Sequence, residues 1–232
     1  MARFSFDNTS KMSDLLIDFP QLTYLLPRFG LSLGFGDCSV HEVCIRHNVP
    51  DDFFLLICAI HATGELPRDI AVESVSPECL VPFLRGSHQY YVAKRLPHIE
   101  EHLHHIADLL PVQLHDAFMA FFEDYKRDVD AHFAHEEQRV FPHITALERG
   151  ERPSDYSIDL FTHNHGNLED KLNDLMLIIF KYLPEDIPAD GDSVEVVGDI
   201  LQLTGDLHCH SIVEERVMVP YVKRLEANAN NS

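Results

Sequence analysis

The chain has 232 residues, 45% hydrophobic and 24% charged, the balance of a globular protein with a buried core rather than a disordered one. A formal charge of −20, from 18 basic and 38 acidic residues, argues against a sequence-independent hold on nucleic acid or an anionic membrane. The longest apolar run, FFLLICAI over Phe53–Ile60, is far short of the roughly 18 residues a membrane helix needs, and MARFSFDNTSKMSD lacks the apolar core of a secretory leader. The expected location is therefore cytoplasmic, with no membrane and no nucleic acid among the partners.

In chain order, nearly every periodic stretch reads as helix and few runs alternate with period two. MSDLLIDFPQLTYLLPRFG, from Met12, is broken at Pro20 and stopped near Gly30; SVHEVCIRHN opens with Ser39 and Glu42 at capping-box spacing; DDFFLLICAIHATG follows Pro50 and ends at Gly64. These make a small helical N-terminal domain over residues 1–70, followed by a linker. From Ser76 the pattern lengthens into four helices, at about 76–106, 112–148, 156–182 and 192–225, the last with Asp192 and Glu195 at capping-box spacing. Short polar connections between long helices predict an all-α fold: an up-down-up-down four-helix bundle over residues 76–228. The five cysteines are odd in number and show no C-x-x-C spacing, which argues against a disulfide scaffold.

Sixteen histidines are far above ordinary usage, and four of them interrupt apolar helical stripes. Residues 128–143 read DVDAHFAHEEQRVFPH and residues 206–221 read DLHCHSIVEERVMVPY, each with D-x-x-x-H-x-x-x-E and a proline six residues past the Glu. His132 and Glu136 fall on the face of Phe122, Tyr125 and Val129; His210 and Glu214 fall on that of Leu203, Leu207 and Val217. His88 and His165 lie in the stripes of the other two helices. His88 to His165 spans 77 residues, and both His132 to His210 and Glu136 to Glu214 span 78, so the chain repeats H…HxxxE. Antiparallel hairpins of this form would bring four imidazoles and two carboxylates to one level.

Two buried carboxylates are hard to sustain without counter-charge, and two divalent cations supply it. Imidazole with carboxylate suits iron best among redox metals, with manganese and zinc as alternatives. His88, His132, Glu136, His165, His210 and Glu214 are the candidate ligands, with open positions left for small molecules. Asp128 and Asp206, one turn before each HxxxE, are candidates to orient a ligand histidine, and Glu169, one turn after His165, is a candidate acid or proton relay. Tyr90, Tyr91 and Tyr125 read equally as pocket lining or core. His98 and His102, at i, i+4 spacing, read first as part of a solvated face.

At these residues the chain resembles the hemerythrin-like di-iron proteins, and more narrowly the family implicated in repairing iron–sulfur centres after nitrosative and oxidative stress. The resemblance is carried by SHQYY at His88, HFAHEEQRVFP at His132 and Glu136, HNHGNLEDKL at His165, and HSIVEERVMVP at His210 and Glu214. It implies two non-haem iron ions, oxo- or hydroxo-bridged, and O2, NO or peroxide as small ligands. It also implies damaged iron–sulfur proteins as clients, with a homodimer as the assembly to look for. Two positions depart from the pattern. Oxygen carriers of this type have a fifth histidine where Phe161 stands and end in HxxxxD rather than HxxxE; the repair family has a Cys-Cys pair where Gly34-Phe35 stands, with Cys38 and Cys44 the nearest thiols. The implied function is cluster repair, by iron donation or NO/O2 chemistry. The alternative is an O2- or NO-binding or sensing protein, and whether the chain turns over as an enzyme is left open.

Overall fold

The computed structural model describes residues 4–68, 77–151, 156–164, 168–185 and 191–230. Among these the regular structure is helical, apart from one isolated bridge between Lys11 and Ser39. Among the described residues no helix is long and apolar enough to cross a membrane. The chain divides into two compact units: Met1–Ser87 with His143–Thr162 and Cys209–Ser232, and His88–Pro142 with His163–His208. The boundary expected between residues 70 and 76 falls outside the described residues.

In the first unit, α1 (Met12–Asp18) gives way to a 3-10 helix (Pro20–Phe29), because Pro20 cannot continue the α-helical ladder. Gly30 ends that helix at φ 67°, where only glycine is comfortable. In α2 (Val40–Arg46) the expected capping box is present: Ser39 accepts from the Glu42 N–H at 3.2 Å, and the Ser39 N–H donates to Glu42 at 2.8 Å. The next helix, α3 (Asp51–Thr63), is apolar all round, with Phe53, Phe54, Leu56, Ile57, Cys58 and Ile60 buried, and Gly64 caps it at φ 70°. Phe29 stacks on Phe83 at 4.8 Å and meets Phe54 edge-on at 5.1 Å, which fastens the N-terminal segment to α4 (Leu80–Tyr90). The Cys209 thiol lies 3.6 Å from the Ile60 carbonyl, and Glu226 accepts from the Ile158 N–H at 2.9 Å and lies 2.8 Å from His143. Both contacts bring the C-terminal helix into this unit.

The second unit is built from four helical segments around one core. Tyr91, Leu96, Ile99, Leu103 and Ile106 come from the first. Phe118, Phe122, Tyr125, Val129 and Phe133 come from the second, Leu172, Leu175, Met176 and Ile179 from the third, and Val196, Ile200, Leu203 and Leu207 from the fourth. The apolar period read from the sequence is what places these side chains inward, each large one contributing about 1.5–3 kcal/mol by burial.

The long helices differ from the expected uniform ones. The first begins as a 3-10 turn (Pro77–Cys79), runs through α4, and passes a π turn (Tyr91–Arg95) before α5 (Leu96–Leu109). It ends three residues beyond Ile106, where Leu110 is extended and Pro111 follows. The second is α6 (Val112–His135), a π turn (Glu136–Val140) and α7 (Phe141–Glu148), within the expected limits. The third is described as α8 (Ile158–Asn164) and α9 (Leu168–Tyr182). The fourth is α10 (Asp192–Val213), a π turn (Glu214–Met218) and α11 (Val219–Asn230), five residues longer than expected. Each π turn ends two residues before a proline, Pro97, Pro142 or Pro220. A proline in a straight α-helix lacks the N–H for the ladder and crowds the carbonyl four residues earlier; a widened turn moves that carbonyl aside. The N-cap expected at Ser76 lies outside the described residues.

Gly86 gives a test of the packing in the first unit. A Cβ built there would sit 2.7 Å from the Arg28 carbonyl oxygen and 3.1 Å from its Cα, both rigid backbone atoms. In an open helix Gly→Ala stabilises by up to about 1 kcal/mol; here Gly86→Ala is expected to destabilise by about 1–3 kcal/mol, read as a lower urea midpoint with an unchanged slope.

Candidate metal centre

The HxxxE spacing sets a His and a Glu one turn apart on one face, and in both copies the pair closes to the same distance. His132 Nε2 lies 2.9 Å from Glu136 Oε1, and His210 Nε2 lies 2.9 Å from Glu214 Oε1. In each copy the Glu is the first residue of a π turn, a feature often found where a helix carries a functional side chain.

In the second unit a third member joins from another helix. His88 Nε2 approaches Glu136 from the opposite side, 2.9 Å from Oε2, so each carboxylate oxygen faces one imidazole. Glu136 has no exposed surface, and His88 is buried. Despite these short separations, neither oxygen of Glu136 accepts a properly aligned hydrogen bond. The nitrogens and oxygens are close without pointing at one another. The lone pairs of Glu136 are left available to an ion. Donors 2.9 Å apart also match neighbours around an ion with bonds of about 2.1 Å at right angles. His88 and Glu136 in the second unit, and His210 and Glu214 in the first, are buried donors that could hold a metal ion, with His132 beside Glu136.

The surroundings of His88 hold its ring in place. It stacks on Phe133 at 4.0 Å with 14° between planes and on Phe141 at 5.5 Å, and its Nδ1 lies 3.2 Å from Glu137 Oε1. A carboxylate on the far nitrogen fixes the tautomer and raises the basicity of the nitrogen that faces the site. Sequence reasoning missed Glu137. The signal was the doubled acid, Glu136-Glu137 and again Glu214-Glu215, of which only the first member lies on the stripe.

The remaining predicted residues are distributed as follows. His165 lies outside the described residues. Asp128 forms an ion pair with Lys171. Asp206 accepts a hydrogen bond from the Tyr91 hydroxyl at 3.1 Å. Glu169 lies 3.4 Å from His208 Nδ1. Tyr125 is buried with a hydroxyl that makes no hydrogen bond, and burial, then the charge of Glu169, push its pKa up. Cys44 is fully buried, and that burial pushes its thiol up to about 12, so it is no ready nucleophile; Cys79 is raised by the same cause. Compared with family models, curated proteins and solved structures, the chain finds no match.

A buried acceptor without hydrogen bonds costs about 1–3 kcal/mol. Glu136→Gln is thus expected to raise the melting temperature of metal-free protein while lowering its affinity for divalent iron or zinc. Calorimetric melting with and without the ion checks both signs; a fall in both would show Glu136 to be a packing residue.

Proposed function

We propose that the chain is a hemerythrin-like non-haem di-iron protein that takes part in restoring iron–sulfur clusters damaged by oxidative or nitrosative stress. The observation that carries this reading is Glu136, a wholly buried carboxylate set between two imidazole nitrogens at 2.9 Å with neither oxygen hydrogen-bonded. The ligands are His88, His132, Glu136, His165, His210 and Glu214, in an up-down-up-down bundle, and two ions supply four positive charges against two carboxylates. The repeat spacing of 77 and 78 residues supports a matched pair of ions rather than one. Iron is the metal that the mixed imidazole and carboxylate donors favour among redox ions.

When bound, iron would supply redox chemistry toward O2, NO or peroxide, or a labile ion to hand on. The chain's own part is positional. Glu137 holds the ring of His88, Phe133 and Phe141 cover it and exclude water, and the HxxxE turns set the spacing of the donors.

Purification without oxygen, followed by metal analysis and absorption on exposure to air, tests the metal centre. About two irons per chain are expected, with loss of both in a His132→Ala/His210→Ala double variant. No metal, or a single zinc, overturns the di-iron reading. Loaded protein is then mixed with an NO-damaged iron–sulfur enzyme: recovery of that enzyme supports repair, whereas reversible NO binding at constant iron content and no recovery favours a sensor.

A further inference from the structure

A second group of donors lies in the second unit and shares no residue with the set around Glu136. His98 and His102 stand one turn apart on α5, their rings 4.7 Å apart at 84°, and Asp199 reaches them from α10. One donor atom from each of the three lies within 4.8 Å of the others. We propose that His98, His102 and Asp199 form an additional, solvent-facing site for a divalent transition-metal ion of the Zn2+, Ni2+ or Cu2+ class.

The carboxylate is oriented before any ion arrives. Arg95, nearly buried, donates from Nη2 to Asp199 Oδ1 at 3.0 Å, to the Asp199 carbonyl at 3.2 Å and to Gln202 Oε1 at 2.8 Å. With Oδ1 held by the guanidinium, Oδ2 is turned toward His98 Nε2, 3.1 Å away. A fixed carboxylate beside an i, i+4 imidazole pair gives three nitrogen and oxygen donors without a rotamer search, which reduces the entropy lost on binding. The donor types select borderline divalent ions over Mg2+ or Ca2+, which prefer oxygen. Exposure separates this site from the one at Glu136. His98 is 48% exposed and Asp199 18%, so an ion can enter directly and water can complete its coordination. The net charge of −20 raises the local concentration of cations around the molecule. The competing role is an ion pair that staples α5 to α10.

The two roles part in the variant His102→Gln, which leaves the His98–Asp199 contact and the Arg95 clamp untouched. The full chain carrying His132→Ala, His210→Ala, Glu136→Gln and Glu214→Gln, which leaves two of the six buried candidate donors, is titrated with Zn2+ by calorimetry. One ion is expected to bind, about tenfold or more weaker after His102→Gln and not at all after His98→Gln/His102→Gln. An isotherm unchanged by His102→Gln overturns the site and leaves the ion pair. Copper bound to the same chain provides a second check: electron resonance should show coupling to two imidazole nitrogens that disappears after His98→Gln/His102→Gln, and coupling that persists unchanged overturns the proposal.

Discussion

The second unit is organised around the fact that Glu136 is buried. A carboxylate removed from water costs several kcal/mol unless partners compensate, and here the nearest are two imidazoles that approach without forming aligned hydrogen bonds. Everything near it limits their freedom. Phe133 and Phe141 leave the His88 ring one plane to occupy, Glu137 fixes which nitrogen turns inward, and the π turn sets Glu136 at the start of a widened backbone. The core contributed by four helical segments, from Tyr91 to Leu207, supplies the stability against which such an unfavourable placement can persist. A group that weakens the fold and is nonetheless kept inside is best understood by what it can bind.

Much of this was legible in the residues. Pro20, Gly30 and Gly64 mark breaks and ends where the backbone needs them, and Ser39 with Glu42 closes a capping box that local spacing alone specifies. Helix limits at Val112 and Glu148 follow from flanking Pro111 and Gly150. The HxxxE pairs were equally plain, since one helical turn brings i and i+4 together whatever surrounds them.

What could not be read depends on how helices meet. That Glu137 reaches His88, that Tyr91 reaches Asp206, and that Asp199 comes to His98 are matters of rotation and rise between segments 49 to 115 residues apart in chain order. Asp128, placed by spacing one turn before His132, pairs with Lys171 from another helix, a partner no single-helix pattern reveals. The π turns escaped for a different reason: periodicity averages over many residues, and one extra residue in a turn hardly changes the average.

Those three widened turns carry a consequence for how firmly the donors are held. A π turn is an α-helix with one residue too many, and in an uninterrupted helix the surplus can migrate, rotating each side chain it passes by about 100°. Pro97, Pro142 and Pro220, each two residues past such a turn, have no amide hydrogen to offer the ladder. They act as latches against slippage toward the C-terminus. The angular setting of Glu136, Glu214 and Tyr91 is thereby guarded by a backbone feature six residues away, one that never touches the groups whose aim it preserves.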